Sequence, residues 1–371
     1  MKVGAILKKT DLNGYSFFLN KDNSKDKLAM SLSCYEAAIY NIVKNSSQLS
    51  KSTIIPLFLR DITPILTYEE DTGVFFITNE NSNYAPVWHK YIKLINYVKE
   101  KDNHAIEFLE SLLDKGHMVM LQTVFQKIKY YAEYNPDFDM NSYFDGAAPH
   151  VNILLYHEDD KFYYAEKLPY RINLNNFVPY QFNNQIGVIQ KKDMEEACNF
   201  YLKCYTIDMD AQFIKDNLKH EEIVRYIHAI SENFVGKTIS EKGITKYYGN
   251  SALEKIIDIC NDGVDIKKYK HTVNWALHDK LTFDMWMLHG SRRILLEYII
   301  QEIRDVGNKE NLIQLRHTLN EAILQWEGLA IVLAKYTRST RSTLLNEKIA
   351  IKFRKLLALE KELNEMLCNF T

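Results

Sequence analysis

Residues 150–170 read HVNILLYHEDDKFYYAEKLPY. Two apolar runs are joined by the polar HEDDK, the pattern of two strands folded back on each other across a turn. The first run opens with His150, just after the small-residue stretch DGAAP at 145–149. The second carries Glu166 inside FYYAE. A carboxylate within an apolar run is costly to bury without a partner. If the two strands pair, Glu166 can hydrogen-bond the His150 imidazole and fix its tautomer. The bland alternative is an edge-strand carboxylate facing water. His157 falls in the turn and His117 lies just past a helix end, so both are less well placed as bases.

A base calls for a nucleophile. Residues 31–40 read SLSCYEAAIY. Ser33 is a good N-cap for a helix that starts at Cys34 and runs to about Val43. A thiol on a helix N-terminus feels the positive end of the dipole and loses its proton more readily. The unpaired N–H groups of that turn can also hold a developing oxyanion. By position alone, a lone cysteine is more often a small buried residue.

Composition narrows the class. The chain has 371 residues, 46% of them hydrophobic, enough for two domains or one elaborated domain. A formal net charge of −2 gives no electrostatic case for a nucleic-acid partner. The five cysteines, Cys34, Cys198, Cys204, Cys260 and Cys368, are widely spaced with no CxxC pair, so neither a zinc knuckle nor a disulfide framework is indicated. Free thiols imply a reducing compartment. No apolar run approaches the roughly 18 residues that span a bilayer, and the N-terminus lacks a signal-peptide pattern. The expectation is a cytoplasmic protein without membrane partner, metal or bound cofactor.

Along the chain, GYSFF and GVFFIT read as short strands. WHKYIKLINYVKE and HAIEFLESLLDKG carry apolar residues at three- and four-residue spacing and predict helices, the second ending at Gly116. HMVMLQTVF predicts a buried strand. After about residue 192, DMEEACNFYLKCY, DAQFIKDNLK, EEIVRYIHAISENF and SALEKIIDICNDG predict helices, and long periodic stretches run from about Lys268 to Val306, Lys309 to Tyr336 and Leu344 to Cys368. The second half therefore predicts a helical bundle.

Other signals are weaker. NFVGKT ends like a phosphate-binding loop, but Ser231 stands where the leading glycine belongs and no strand precedes it. His271 and His278 have no HExxH partner. Arg292 and Arg293 in HGSRR would suit an anion, but charged residues on a helix are usually a solvated face.

The order of nucleophile, base and acid, with base and acid one hairpin apart, resembles the papain-like fold of bacteriocin-leader peptidases. SCYEAAIYNIVK, LLDKGHMVMLQTV and PHVNILLYHEDDKFYYAEK are more closely similar to the N-terminal domain of the butirosin-biosynthesis acyltransferase family and, within that type, to amide synthetases of closthioamide biosynthesis. The likeness spans roughly residues 15–190. It implies an α+β chain with a papain-like catalytic domain over 1–190 and an all-helical domain over 191–371. It also implies acyl transfer from a carrier-protein thioester to an amine, with Cys34 as nucleophile, His150 as base and Glu166 as orienting acid, where the family more often has Asp. The leader peptidases place an oxyanion-hole glutamine shortly before the cysteine. None stands in NKDNSKDKLAMSLS, and Asn23 is a remote substitute.

The resemblance implies that no ATP is needed, because the acyl group arrives activated on the phosphopantetheine arm of an acyl or peptidyl carrier protein. The acceptor would be a small amine or diamine such as diaminopropane, as in nonribosomal antibiotic assembly. Tyr143 and neighbouring tyrosines either wall a dry pocket or simply pack the core. Asp145 and Asp284 are candidates to bind a diamine, and His271, Trp275, Trp286 and His289 to face the substrate. The rival reading is a papain-like cysteine peptidase, which uses the same nucleophile and base. A third is a binding protein on an inactive papain-like fold.

Overall fold

The computed structural model describes residues 17–18, 26–78, 85–100, 104–124, 127, 149–166, 186–198, 201–265, 277–307, 309–338 and 344–370. In chain order the elements are helices α1 (Lys27–Ser31), α2 (Cys34–Ser46) and α3 (Lys51–Leu57), and strands β1 (Ile65–Glu69), β2 (Phe75–Thr78) and β3 (Ile92–Glu100). Then come α4 (Ala105–Asp114), β4 (Val119–Val124), β5 (Pro149–Glu158), β6 (Lys161–Glu166), β7 (Ile186–Gln190), α5 (Lys191–Ala197) and β8 (Tyr201–Met209). The remainder comprises α6 (Ala211–Asn217), α7 (His220–Phe234), β9 (Lys237–Glu241), β10 (Ile244–Tyr248), α8 (Asn250–Asp262), β11 (Val264–Asp265), α9 (Leu277–Val306), α10 (Glu310–Arg338), β12 (Leu344–Leu345) and α11 (Glu347–Cys368). The class is α+β with antiparallel sheets.

The chain divides into two compact units. The first takes residues 1–54 and 88–216, the second 55–87 and 217–371. The expected border at 190 thus falls inside the first unit, because β8 after it is an interior strand of that unit's sheet. The second unit is not helical throughout: it borrows β1 and β2 from the first half to build a four-stranded sheet.

The first unit centres on a six-stranded sheet in the order β3-β8-β4-β5-β6-β7. The expected hairpin is β5–β6, with a bulge between Leu154 and Tyr156. Apolar spacing misleads at residues 88–100: a 3-10 turn over Val87–Lys90 is followed by strand β3, not a helix. There Ile92 to Glu100 pair residue by residue with Met209 to Tyr201 of β8, a long-range partner that local periodicity does not register. The same strand truncates the helix expected over 193–205 at Ala197. One face of the sheet packs Val119, Leu121, Leu154, Tyr164 and Cys204 against α4 (Leu109, Leu112, Leu113) and α5 (Met194, Ala197). Lys191 at the start of α5 ties to Glu110 of α4.

The second unit joins the sheet β2-β1-β10-β9 to helices. Leu66, Phe75 and Ile77 meet Leu253 and Ile256 of α8, Leu288 of α9, Trp326 and Leu329 of α10, and Phe353 and Leu356 of α11 in one core. The long α9 and α10 pack on each other as a helical hairpin around Gly307. Gly249, between β10 and α8, holds φ +57°, and a Cβ there would stand 2.1 Å from the Phe234 carbonyl oxygen, so only glycine fits. Around Gly236-Lys237-Thr238, helix α7 precedes and strand β9 follows, the reverse of a phosphate-binding loop. The strand expected at GYSFF is described only at 17–18, where the chain bends.

Candidate active site

Cys34 is the first residue of α2 and is half-buried. Ser33 caps the helix: its Oγ accepts from the Glu36 N–H at 3.1 Å, while Glu36 Oε2 accepts from the Ser33 N–H at 3.4 Å. This reciprocal capping box leaves the start of α2 sharply defined. Deeper along the helix, buried Asp26 accepts from the Tyr40 hydroxyl at 2.9 Å and Lys44 Nζ at 2.8 Å while capping α1 through the Leu28 and Ala29 N–H groups. Asn41 accepts from the Phe18 N–H at 2.7 Å. The thiol is therefore carried on a helix fixed at several depths.

The other described thiols differ. Cys204 and Cys260 are fully buried, and burial pushes each up to about 12. Cys368 is exposed, with its Sγ 3.4 Å from Ser231 Oγ.

Helix α2 packs on β5, the strand that carries His150. His150 is buried and stands opposite Thr123 of β4. Two residues on, Asn152 is fully buried, its Nδ2 3.4 Å from Thr123 Oγ1. Its Oδ1 has no hydrogen-bond partner among the described residues. Asn152 pairs with Glu166 across the hairpin, so strand alternation sets positions 150, 152 and 166 on one face. Only the backbone of Glu166 is described.

That face is the one carrying α4 and α5, since Leu121 and Leu154 share it. Tyr35, beside Cys34, packs edge-on against Tyr205 at 5.4 Å. Tyr205 pairs with Met120 and so belongs to the opposite face. Strand alternation thus sets His150 on the α4/α5 face, and Tyr205, the neighbour of Tyr35, on the other. Burial, with Tyr205 and Glu36 nearby, pushes the Tyr35 phenol up to about 12.

A second imidazole, which nothing in its local sequence singles out, feels the start of α2. His89 lies against Trp88 with ring centroids 3.9 Å apart. Desolvation lowers its pKa below the ordinary histidine value, and the negative charge of Glu36 partly opposes that. Only the folded chain brings 36 and 89 within electrostatic range.

Of the other candidates, Tyr143, Asp145, Asn23, His271 and Trp275 lie outside the described residues, and Trp286 is described only through its backbone on α9. His289 belongs to the second unit, buried on α9, where its Nε2 accepts from Arg293 Nε at 2.6 Å and lies 3.9 Å from Glu327. Asp284 is buried on the same helix. Arg292 is no solvated-face residue: it is fully buried, with Nε 2.5 Å from Glu360 Oε1. Among the described residues no group of three or more His, Cys, Asp or Glu could hold a metal ion, and no helix is long and apolar enough to cross a membrane.

No family model matches the chain, and no curated protein matches it either.

Proposed function

We propose that the first unit is a papain-like acyl-transfer domain that forms amides from carrier-bound thioesters. The observation that carries this reading is the capped start of α2, which sets a half-buried Cys34 at the first helical position of a helix packed on the strand of buried His150. In the first step the Cys34 thiolate attacks the thioester carbonyl. The carbon–sulfur bond to the carrier breaks, and the phosphopantetheine thiolate leaves and takes up a proton. The exchange is between two thioesters, so it is nearly balanced and needs no nucleotide. An amine then attacks the acyl-enzyme, His150 accepts its proton, and Cys34 leaves as thiolate. Glu166, on the same face of the hairpin, orients the imidazole. N–H groups at the start of α2 supply donors for the tetrahedral oxyanion.

The test is direct. Incubation with an acyl carrier-protein thioester gives a mass adduct on Cys34 that is absent from Cys34→Ala, and addition of a diamine converts it to amide. An unmodified wild-type Cys34 would sink the covalent scheme. Release of free acid alone, with amine present, would identify a hydrolase instead.

A further inference from the structure

Strand β9 is the outer edge of the second unit's sheet. All five of its residues, Lys237-Thr238-Ile239-Ser240-Glu241, are exposed, and Ile239 keeps 46% of its surface in water. The strand carries no proline and no bulge, and no element covers it among the described residues; of the devices that usually blunt a free edge it keeps only its charged ends, Lys237 and Glu241.

Its hydrogen-bonding phase can be worked out. The β9–β10 turn is Lys242-Gly243, with φ of 53° and 77°, the left-handed pair of a two-residue hairpin. In such a hairpin the residues flanking the turn, Glu241 and Ile244, form a bonded pair, and bonding then alternates. Glu241, Ile239 and Lys237 thus turn their backbone N–H and C=O towards β10. Thr238 and Ser240 turn theirs outward.

This phase matches the side chains to a single partner. With a second copy of β9 laid antiparallel about a two-fold axis through Ile239, Thr238 faces Ser240 of the other copy, and both have free outward groups. The two such pairs exchange four backbone hydrogen bonds. Ile239 then stands opposite its own mate, and Lys237 opposite Glu241, twice. Those are non-hydrogen-bonded pairs, in which facing side chains come closest. The lysine that would repel a foreign strand here meets a glutamate. Exposed Ile244 lies diagonal to Ile239 on the same face, so an apolar patch gathers over the axis.

We propose that this chain self-associates through β9, joining two copies of the four-stranded sheet into one continuous antiparallel sheet. The contact is isologous and closes at two copies. It is independent of the acyl-transfer reading.

Sedimentation velocity over a wide range of concentration tests it. Wild type is expected to pass from monomer to dimer. Lys237→Glu and Glu241→Lys, each at an exposed position, should each raise the dimer Kd by at least about tenfold by placing like charges opposite. Mixing those two variants restores complementarity and should return a heterodimer. Thr238→Pro removes an outward N–H without touching the β10 ladder, and should abolish the dimer while circular dichroism and melting temperature stay unchanged. A wild type that stays monomeric throughout, or a dimer indifferent to all of these changes, would overturn the proposal.

Discussion

Asn152 stands opposite Glu166 in the β5–β6 hairpin, and through it His150 and Glu166 fall on one face of the sheet a single step apart. Neighbours on such a diagonal are within reach of long side chains. If His150 is the base of amide formation, His150→Ala should lower the rate of acyl-enzyme aminolysis by about a hundredfold or more. Glu166→Gln should lower it less. His89→Asn is the discriminating control: single-turnover rates close to wild type keep His150 as the base, and a comparable loss would transfer the role to His89, the imidazole under the influence of Glu36.

Thiol chemistry separates the cysteines. Brief alkylation of native protein at mildly alkaline pH, read by peptide mass, should modify Cys34 and Cys368 and spare Cys204 and Cys260, whose buried thiols stay protonated. Prior acylation from a carrier thioester should protect Cys34 alone. Failure of that protection would contradict the covalent route.

The capping box has its own cost. Ser33→Ala removes the acceptor for the Glu36 N–H and should destabilise the protein by about 1 kcal/mol, measured by denaturant unfolding. The same change should slow acylation of Cys34, because the first turn that carries it frays. An unchanged acylation rate would mean that the position of the thiol does not depend on this cap.

In the second unit, Arg292 Nε and Trp326 Nε1 both donate to Glu360 Oε1, and the guanidinium also lies over the Trp326 ring at 4.9 Å. Arg292 and Glu360 are fully buried. Removing one partner strands a charge, so Glu360→Ala should cost about 3–5 kcal/mol, whereas Arg292→Met combined with Glu360→Leu should be far milder. Chemical denaturation of the three variants checks the order.

Acid sensitivity follows from His89 and His117. Partial desolvation is the largest influence on each and holds it below the ordinary value of 6.5 in the folded chain. The unfolded chain therefore binds protons first, and the contribution of these groups is complete above that value and lost as pH falls through the lower folded values. Melting temperature should decline on acidification below about 6.5, and His89→Asn with His117→Asn should flatten the slope. An unaltered slope would assign the acid response to other groups.

What was legible in the chain was whatever local rules govern. The S-x-x-E pattern at Ser33 and Glu36 signals a capped helix start, and the structure has it. HVNILLY and KFYYAE signalled a hairpin, and the pairing of Asn152 with Glu166 follows. Residues 92–100 misled because their apolar spacing fits a helix, while their conformation is set by β8, more than a hundred residues away. The influence of Glu36 on His89 was equally invisible, since it exists only once the 87–90 turn and α2 are assembled. The bulge at Leu154–Tyr156 is another such feature, a local irregularity with no turn residue to announce it.

The twice-interrupted course of the chain carries a consequence for synthesis. Strands β1 and β2 emerge from the ribosome early, yet β1 finds its neighbour β10 only after the whole first unit has been made. Until then Leu66, Phe75 and Ile77 have no helices to cover them. Through that delay the β1–β2 ribbon lacks its core partners, and a chain cut after residue 216 holds the whole first unit but only two of the four strands of the second unit's sheet.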